Sequence, residues 1–290
     1  MIVVQLTGGL GNQLFQYAMG RTLASFNQVE LKLDLSFFKT YEWHAYSLSP
    51  FAINEIHASE SECDQLRQAH TSFANRVLRK TIGKGNYISY EKNLLYNPVY
   101  KKITSPTYLV GYWQCEKYFK EYETLIREEF QVKIPPSIVN KDLLNKIESG
   151  NNAVSLHIRR GNFVNVPVVN AVHGTSSLAY YEDAMNYVSE RVSNPVFYVF
   201  SDDIAWAKAN LMGSRSFVYV DINDAAHDYE DLRLMQRCQH HIIANSTFSW
   251  WAAWLNPSPD KIVIAPAVWF ADAEKNKEAK DIVPPSWIRL

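Results

Sequence analysis

Residues 2–34 read IVVQLTGGLGNQLFQYAMGRTLASFNQVELKLD, and their texture changes three times. Residues 2–6 form a short β-rich run, residues 7–12 a glycine-rich turn, residues 13–26 a helical stretch and residues 30–34 a second strand. Strand, tight turn, helix and strand make one β-α-β unit, so the chain opens as a parallel sheet. The turn Thr7-Gly8-Gly9-Leu10-Gly11-Asn12-Gln13 resembles the start of a dinucleotide fingerprint. Leu14 stands where the third glycine belongs, however, and no lysine follows as in a phosphate-binding loop. Alone, such a turn is more often a tight strand-to-helix connection than a ligand site.

Residues 35–130 are aromatic-rich and weakly periodic, with helices predicted over 61–82 and 117–130. Pro135-Pro136 and then residues 148–152 interrupt the pattern and mark a linker, which sets two domains at 1–135 and 136–290. Beyond residue 150 the alternation is cleaner. Strand-like runs at 153–158, 195–201, 217–221, 240–244 and 261–265 are separated by helical segments, the pattern of a doubly wound α/β domain. In one such gap Leu178, Tyr181, Met185, Val188 and Val192 recur at spacings of three and four, a stripe that can face a sheet. No internal repeat or low-complexity segment interrupts this order.

The chain has 290 residues, 47% of them hydrophobic and 20% charged, enough for one large α/β core or two smaller ones. Its net charge of -1 gives no basic excess for a nucleic-acid backbone. Cys63, Cys115 and Cys238 are odd in number and widely spaced, neither a disulfide framework nor a metal pair, which fits a reducing cytoplasm. The sequence has no basic-then-apolar leader and no apolar run of membrane-spanning length, so an unexported soluble protein is expected.

In doubly wound folds ligands bind beyond the carboxyl ends of the strands, and there the chain is polar. Arg159-Arg160-Gly161-Asn162 follows one strand, Ser201-Asp202-Asp203 the next, and Asn245-Ser246-Thr247 a third; the Gly8 turn holds the equivalent place in the first half. A glycine turn admits close backbone approach, a guanidinium grips phosphate oxygens with two parallel bonds, and carboxylates accept from base or ribose donors. Converging on one cleft, these turns describe a nucleotide-diphosphate site. In residues 245–254 Ser246 and Thr247 are placed to cap the next helix, whose N-terminus would receive an anion.

Each piece also has a plain reading. One of Arg159 and Arg160 is expected to be structural, with Arg159 favoured for the ligand because His157 precedes it on the same strand face. His157 reads by default as a core histidine. One of Asp202 and Asp203 is expected to cap the following helix, leaving the other free. Trp250, Trp251 and Trp254 have helical spacing and read as packing behind the turn.

The run from Gly8 through Asn12-Gln13 to Ala18, His157-Ile-Arg159-Arg160-Gly161, the 200–203 stretch and residues 242–251 resemble the bacterial α-1,2-fucosyltransferases of glycosyltransferase family 11. The resemblance spans the chain, with residues 35–105 contributing little. It implies a GT-B-like α/β fold, two Rossmann-type domains with doubly wound parallel sheets facing each other across a cleft. The first domain would serve the acceptor and the second GDP-fucose.

The implied reaction moves fucose from GDP-β-L-fucose to the 2-hydroxyl of a terminal galactose with inversion, the activity of a galactoside 2-α-L-fucosyltransferase building a surface glycan such as O-antigen. No divalent metal or other cofactor is expected, since the chain lacks an Asp-x-Asp motif. On this resemblance Arg159 holds the phosphates and His157 lies near guanosine or pyrophosphate. Asp202 or Asp203 meets guanine, and Asn245, Ser246, Thr247 and Phe248 wrap phosphate and base. Gly9, Gly11, Asn12 and Gln13 would reach the donor from the first domain.

Asn162 stands where the family usually has aspartate. An amide cannot take a proton, so either the base is dispensable or the chain binds GDP-fucose or a glycan without turnover; a transferase of another sugar nucleotide is the third reading. The general base is left unassigned. His173, in Val172-His173-Gly174, either contacts the acceptor or orders its loop, and Asp34 is a further acceptor-side candidate.

Arg67, Arg76, Arg79, Lys80 and Lys84 occur with no acidic residue between Gln65 and Tyr90, on an amphipathic helix with Phe73, Val77 and Leu78. This reads either as a solvated face or as peripheral contact with an anionic inner membrane carrying a lipid-linked acceptor. The acceptor's identity and the oligomeric state are not written in the sequence.

Overall fold

The computed structural model describes residues 1–82, 87–150, 152–211 and 213–290; Lys84 and Asn151 lie outside the described residues, as does the side chain of Arg79. The chain divides into two compact units, Met1–Lys133 and Ile134–Leu290. The division falls two residues before the expected boundary at 135.

In the first unit, β1 (Ile2–Gln5), β2 (Leu31–Asp34), β3 (Ile88–Tyr90) and β4 (Thr107–Val110) form a parallel sheet in the order β2-β1-β4-β3. Helix α1 (Leu10–Asn27) connects β1 to β2 and is buried along most of its length. Its first turn therefore lies beyond the carboxyl end of β1. The strand order reverses between β1 and β4, so the Gly8 turn stands at the switch point of this sheet. Helix α2 (Glu60–Thr71) begins with a capping box, Ser59 with Glu62, and sinks Cys63 and Leu66 into a core with Val3, Ile88 and Tyr108.

The single helix expected over 61–82 is broken. Ser72 turns extended (φ -52, ψ 137), and α3 (Phe73–Ile82) starts afresh. The region expected as a second helix, 117–130, is helical only in α4 (Glu123–Glu129), preceded by 3₁₀ turns at Glu116–Tyr118 and Lys120–Tyr122. Strands β3 and β4 escaped the sequence reading because each is short and lacks clean alternation.

The second unit carries a six-stranded parallel sheet in the order β10-β9-β8-β5-β6-β7. Its strands are β5 (Ala153–Ile158), β6 (Val196–Ser201), β7 (Ser216–Val220), β8 (His240–Ile242), β9 (Val263–Ala265) and β10 (Ile288–Arg289). Every residue of β5 is buried, as expected of a central strand covered on both faces. The helices are α5 (Ile138–Glu148), α6 (Gly161–Asn165), α7 (Pro167–His173), α8 (Leu178–Ser189), α9 (Ile204–Asn210), α10 (Asp228–Arg237), α11 (Thr247–Leu255) and α12 (Ala273–Glu278).

Two expectations need correction here. The stretch taken as a linker is mostly helix α5, begun by Ser137, whose hydroxyl accepts from the Asn140 N–H. Of the expected stripe, Tyr181, Met185 and Val188 on α8 and Val192 just beyond it join the core, whereas Leu178, at the first turn, is exposed. The edge strand β10 was not foreseen either; at two residues it carries no periodicity.

Buried polar groups fasten the sheet from within. His241 on β8 bonds the Ser155 hydroxyl on β5 (2.8 Å), while the Asn256 amide donates to its other ring nitrogen (2.8 Å). Burial holds this imidazole neutral, well below its usual pKa. Trp250, Trp251 and Trp254 pack on one another and on Trp287, and the Trp250 indole N–H donates to the Ile282 carbonyl (2.8 Å). The tryptophans are core, as the spacing suggested. All three cysteines are buried, and none is in a disulfide.

Candidate active site

In the second unit the strand order runs outward in two directions from the β5/β8 pair, the topological switch point at which doubly wound sheets take ligands. The turns at residues 159–162 and 245–248 follow those two strands. Register then brings in a third turn. Ile158 pairs with Ser201, so Arg159 and Asp202 leave neighbouring strands side by side.

The Arg159 guanidinium holds Asp202 Oδ2 through Nη1 (2.9 Å) and donates to Asn162 Oδ1 through Nη2 (2.9 Å). Its centre lies 5.3 Å from the Phe163 ring. Arg160 uses the same two aspartates differently. Its backbone N–H donates to Asp202 Oδ1 (2.8 Å), its Nε donates to Asp203 Oδ2 (3.2 Å), and its guanidinium stacks 4.0 Å from the Trp206 ring. Gly161 is required because a Cβ there would overlap the Asp202 carboxylate.

Asp203 caps α9 by accepting from the Trp206 N–H (3.0 Å). Asp202 is not left free by this, contrary to expectation, because both aspartates are ion-paired to the arginines. The result is two cations and two carboxylates at one end of the sheet, with Arg159 a quarter exposed.

His157, the last-but-one residue of β5, is buried with its ring 5.7 Å from Phe248. Burial first, and the neighbouring Arg159 charge second, push its pKa down to about 3. It is neutral at physiological pH and is no acid catalyst there. Its Nδ1 is buried without a hydrogen-bond partner among the described residues.

His173 closes α7, stacked on Phe163 (4.6 Å, 19°) and 5.3 Å from Phe270. Burial, then the charges of Lys275 and Arg159, lower it to about 4. Its carbonyl accepts from the Asn245 amide (2.9 Å), which also donates to the Trp269 carbonyl (3.1 Å). Asn245 is thus a buried tie between three segments, and His173 is held by aromatic stacking beside Arg159.

Helix α11 begins at Thr247 with Ser246 in the N-cap position, but no side chain makes the cap bond expected there. Ser246, Thr247 and Phe248 are partly exposed at this helix start. The N-terminal N–H groups and the dipole end thus lie beyond β8, on the strand adjoining β5, where an anion is favoured.

The first unit presents its own turn. Gly8 has φ +72, and a Cβ there would meet Asn12 Nδ2 at 2.7 Å. Gly9 caps α1 through its carbonyl, which accepts from the N–H groups of Asn12 and Gln13 (3.0 and 3.1 Å), and it faces the His44 ring. Gln13 is fully buried, donating to the Gly8 and Ala45 carbonyls and accepting from the Ser47 N–H, so it orders the turn. Asn12 accepts from the Gln114 amide (2.9 Å) beyond β4. Gly11 lies in the first turn of α1, buried.

Asp34 at the end of β2 is buried, accepting from the Ser36 N–H (2.8 Å) and the Tyr108 hydroxyl, with Arg67 at 3.5 Å. Two contributors were missed from sequence. Phe163 was signalled by its place next to Asn162. Glu91, which accepts from the Tyr112 and Trp113 N–H groups and orders the turn after β4, gave no signal in its irregular neighbourhood.

Among the described residues no three histidine, cysteine, aspartate or glutamate side chains gather as a metal-ion ligand set, and no helix is long and apolar enough to cross a membrane. A surface concavity lined by Asn152, Arg191, His240 and Asp260 opens at the amino ends of the strands, opposite the arginine turns.

The chain thus has two Rossmann-type units, the second with paired arginines at its switch point. The chain belongs to glycosyl transferase family 11, whose model matches residues 1–290. It is 35% identical to an α-1,2-colitosyltransferase of Escherichia coli over all of this chain and 99% of that one. It is 31% identical to the O-antigen biosynthesis glycosyltransferase WbnK of Escherichia coli, covering 98% and 99% of the two chains. Galactoside α-(1,2)-fucosyltransferase 2 of Sus scrofa is 26% identical, over 88% of this chain and 69% of that one. Among solved structures, the NodZ α-1,6-fucosyltransferase co-crystallized with GDP superimposes with a TM-score of 0.50 at 16% identity, over 88% of this chain and 92% of that one. The protein is a glycosyltransferase of the GT-B fold class.

Proposed function

We propose that this glycosyltransferase moves L-fucose from GDP-β-L-fucose to the 2-hydroxyl of a terminal galactose, forming an α-1,2 link in a bacterial surface glycan such as an O-antigen. The observation that carries the reading is the Arg159 fork at the β5/β8 switch point, next to the start of α11. When the glycosidic bond breaks, negative charge develops on the departing diphosphate. A guanidinium already oriented by Asp202 and Asn162, with the dipole end of α11, stabilises that charge with little reorganisation.

The acceptor hydroxyl attacks the anomeric carbon from the opposite face and its proton leaves late, so little base strength is required. Asn162 positions the guanidinium and takes no proton. Charge stabilisation by arginine and helix end needs no divalent ion, and the rate is expected to persist in EDTA.

A second donor is favoured by one specific observation, the match along the whole chain to an α-1,2-colitosyltransferase. Colitose is 3-deoxy-L-fucose, so the two donors differ by one hydroxyl. Purified protein is incubated with lactose and either GDP-fucose or GDP-colitose, while GDP release and product mass are followed. An α-1,2-fucosylated product is expected. Product from GDP-colitose alone moves the donor assignment, and GDP-fucose binding without product from any β-galactoside makes the chain a binding protein.

A further inference from the structure

Helix α3 has no role in the site described above. It follows the break at Ser72 and is joined to α2 by the Asn75 amide, which donates to the Ala69 carbonyl (2.9 Å). Three of its apolar side chains are exposed: Phe73 at 80%, Val77 at 43% and Leu78 at 39%. At about 100° per residue these three fall within one arc of about 140°, and Arg76 and Lys80 flank its Phe73 edge, about 60° and 20° beyond it. Both basic residues are exposed and have no acidic partner among the described residues. The sequence carries no acidic residue between Gln65 and Tyr90, although the whole chain has a net charge of -1. Basic charge and exposed apolar surface are therefore concentrated on one short helix.

We propose that α3 docks this enzyme on an anionic lipid bilayer, with Phe73, Val77 and Leu78 entering the headgroup boundary and Arg76 and Lys80 meeting the lipid phosphates. An interfacial helix carries this combination, an apolar arc with an aromatic residue bordered by long basic side chains that reach up to the headgroups. A second copy of the chain fits less well. Three side chains supply far less than the roughly 800 Å² per partner of a stable protein interface, and pairing two such helices would set like charges together. A bilayer accepts a small apolar wedge and supplies the opposite charge.

The test uses the full chain and sedimentation with vesicles of phosphatidylcholine alone or with about one third phosphatidylglycerol. Pelleting is expected with the anionic vesicles at low salt and is lost with phosphatidylcholine alone or at high salt. Arg76→Glu with Lys80→Glu is expected to weaken binding about 25-fold, roughly fivefold per basic side chain before any repulsion is counted. Phe73→Ser with Val77→Ser is expected to weaken it at least about tenfold. Both variants alter exposed positions, so their melting temperatures and GDP binding should match the parent's, which separates this test from that of the proposed reaction. Equal pelleting with both vesicle types, or none with either, overturns the proposal. So does lipid-free self-association that Phe73→Ser with Val77→Ser abolishes, which would identify a second copy as the occupant.

Discussion

Removing the Arg159 guanidinium separates a ligand-holding role from a structural one. In the free protein it makes two 2.9 Å bonds, to Asp202 and Asn162, with its side chain and that of Asp202 each 26% exposed. A pair that open to water contributes at most about 1 kcal/mol. Arg159→Ala should therefore shift the melting temperature by no more than about 2–4 °C.

Loss of a charged hydrogen-bond donor to the GDP phosphates is larger, about 1.5–3 kcal/mol, or roughly 10- to 150-fold in affinity. Arg159→Lys keeps the charge but cannot hold Asp202 and Asn162 together while donating to phosphate, so an intermediate loss of about tenfold is expected. Isothermal titration with GDP, beside thermal melts of the same samples, reads both quantities. An Arg159→Ala protein that binds GDP within about twofold of the parent would refute the reasoning. A large stability loss would show instead that the arginine serves the fold.

The remaining predictions concern its neighbours and the fold. Asp202→Asn removes the carboxylate that competes with phosphate for Arg159, so GDP should bind a few-fold more tightly, on the scale of about 1 kcal/mol. Weaker binding, with lost preference for GDP over ADP, would make Asp202 the guanine reader. His157 has its folded pKa depressed from 6.5 to about 3, so the folded state binds fewer protons; its contribution is present above about pH 6.5 and is lost as pH falls toward 3. Between pH 7 and 5 the loss is about 2 kcal/mol, and in urea titrations His157→Gln should shrink that difference; an unchanged difference would contradict the assignment. Gly8→Ala forces a side chain to φ +72 and against Asn12, which should cost about 1–2 kcal/mol in chemical denaturation. Gln13→Ala strips partners from the Gly8 and Ala45 carbonyls and the Ser47 N–H, which should cost about 2–3 kcal/mol, and a neutral result would show water replacing the amide.

Parallel strands and tight turns are local matters, and they were legible. The β1–α1–β2 unit, the five main strands of the second unit and the polar turns after them follow from apolar runs punctuated by glycine and polar residues. The tryptophans of α11 were likewise legible as core from their spacing. Residues 35–110 were not. Strands β3 and β4 are three and four residues long, too short for a periodic signal, and Ser72 breaks a helix without a proline or glycine to announce it.

The sequence alone determined which residue types stand after each strand: glycine, arginine, aspartate, asparagine and serine. Only the tertiary structure decided what those residues do to one another. Placing β8 beside β5 put the arginine turn at the switch point, and pairing Ile158 with Ser201 set Asp202 against Arg159 instead of leaving it free. Ser246 makes no side-chain cap, while Asp203 does. These outcomes depend on strand order and register, which arise from contacts between segments some 40 to 90 residues apart, as the sequence numbers of β5, β6 and β8 show. No local spacing rule can reach that far, because charges and hydrogen bonds are fixed by distance in space and not along the chain.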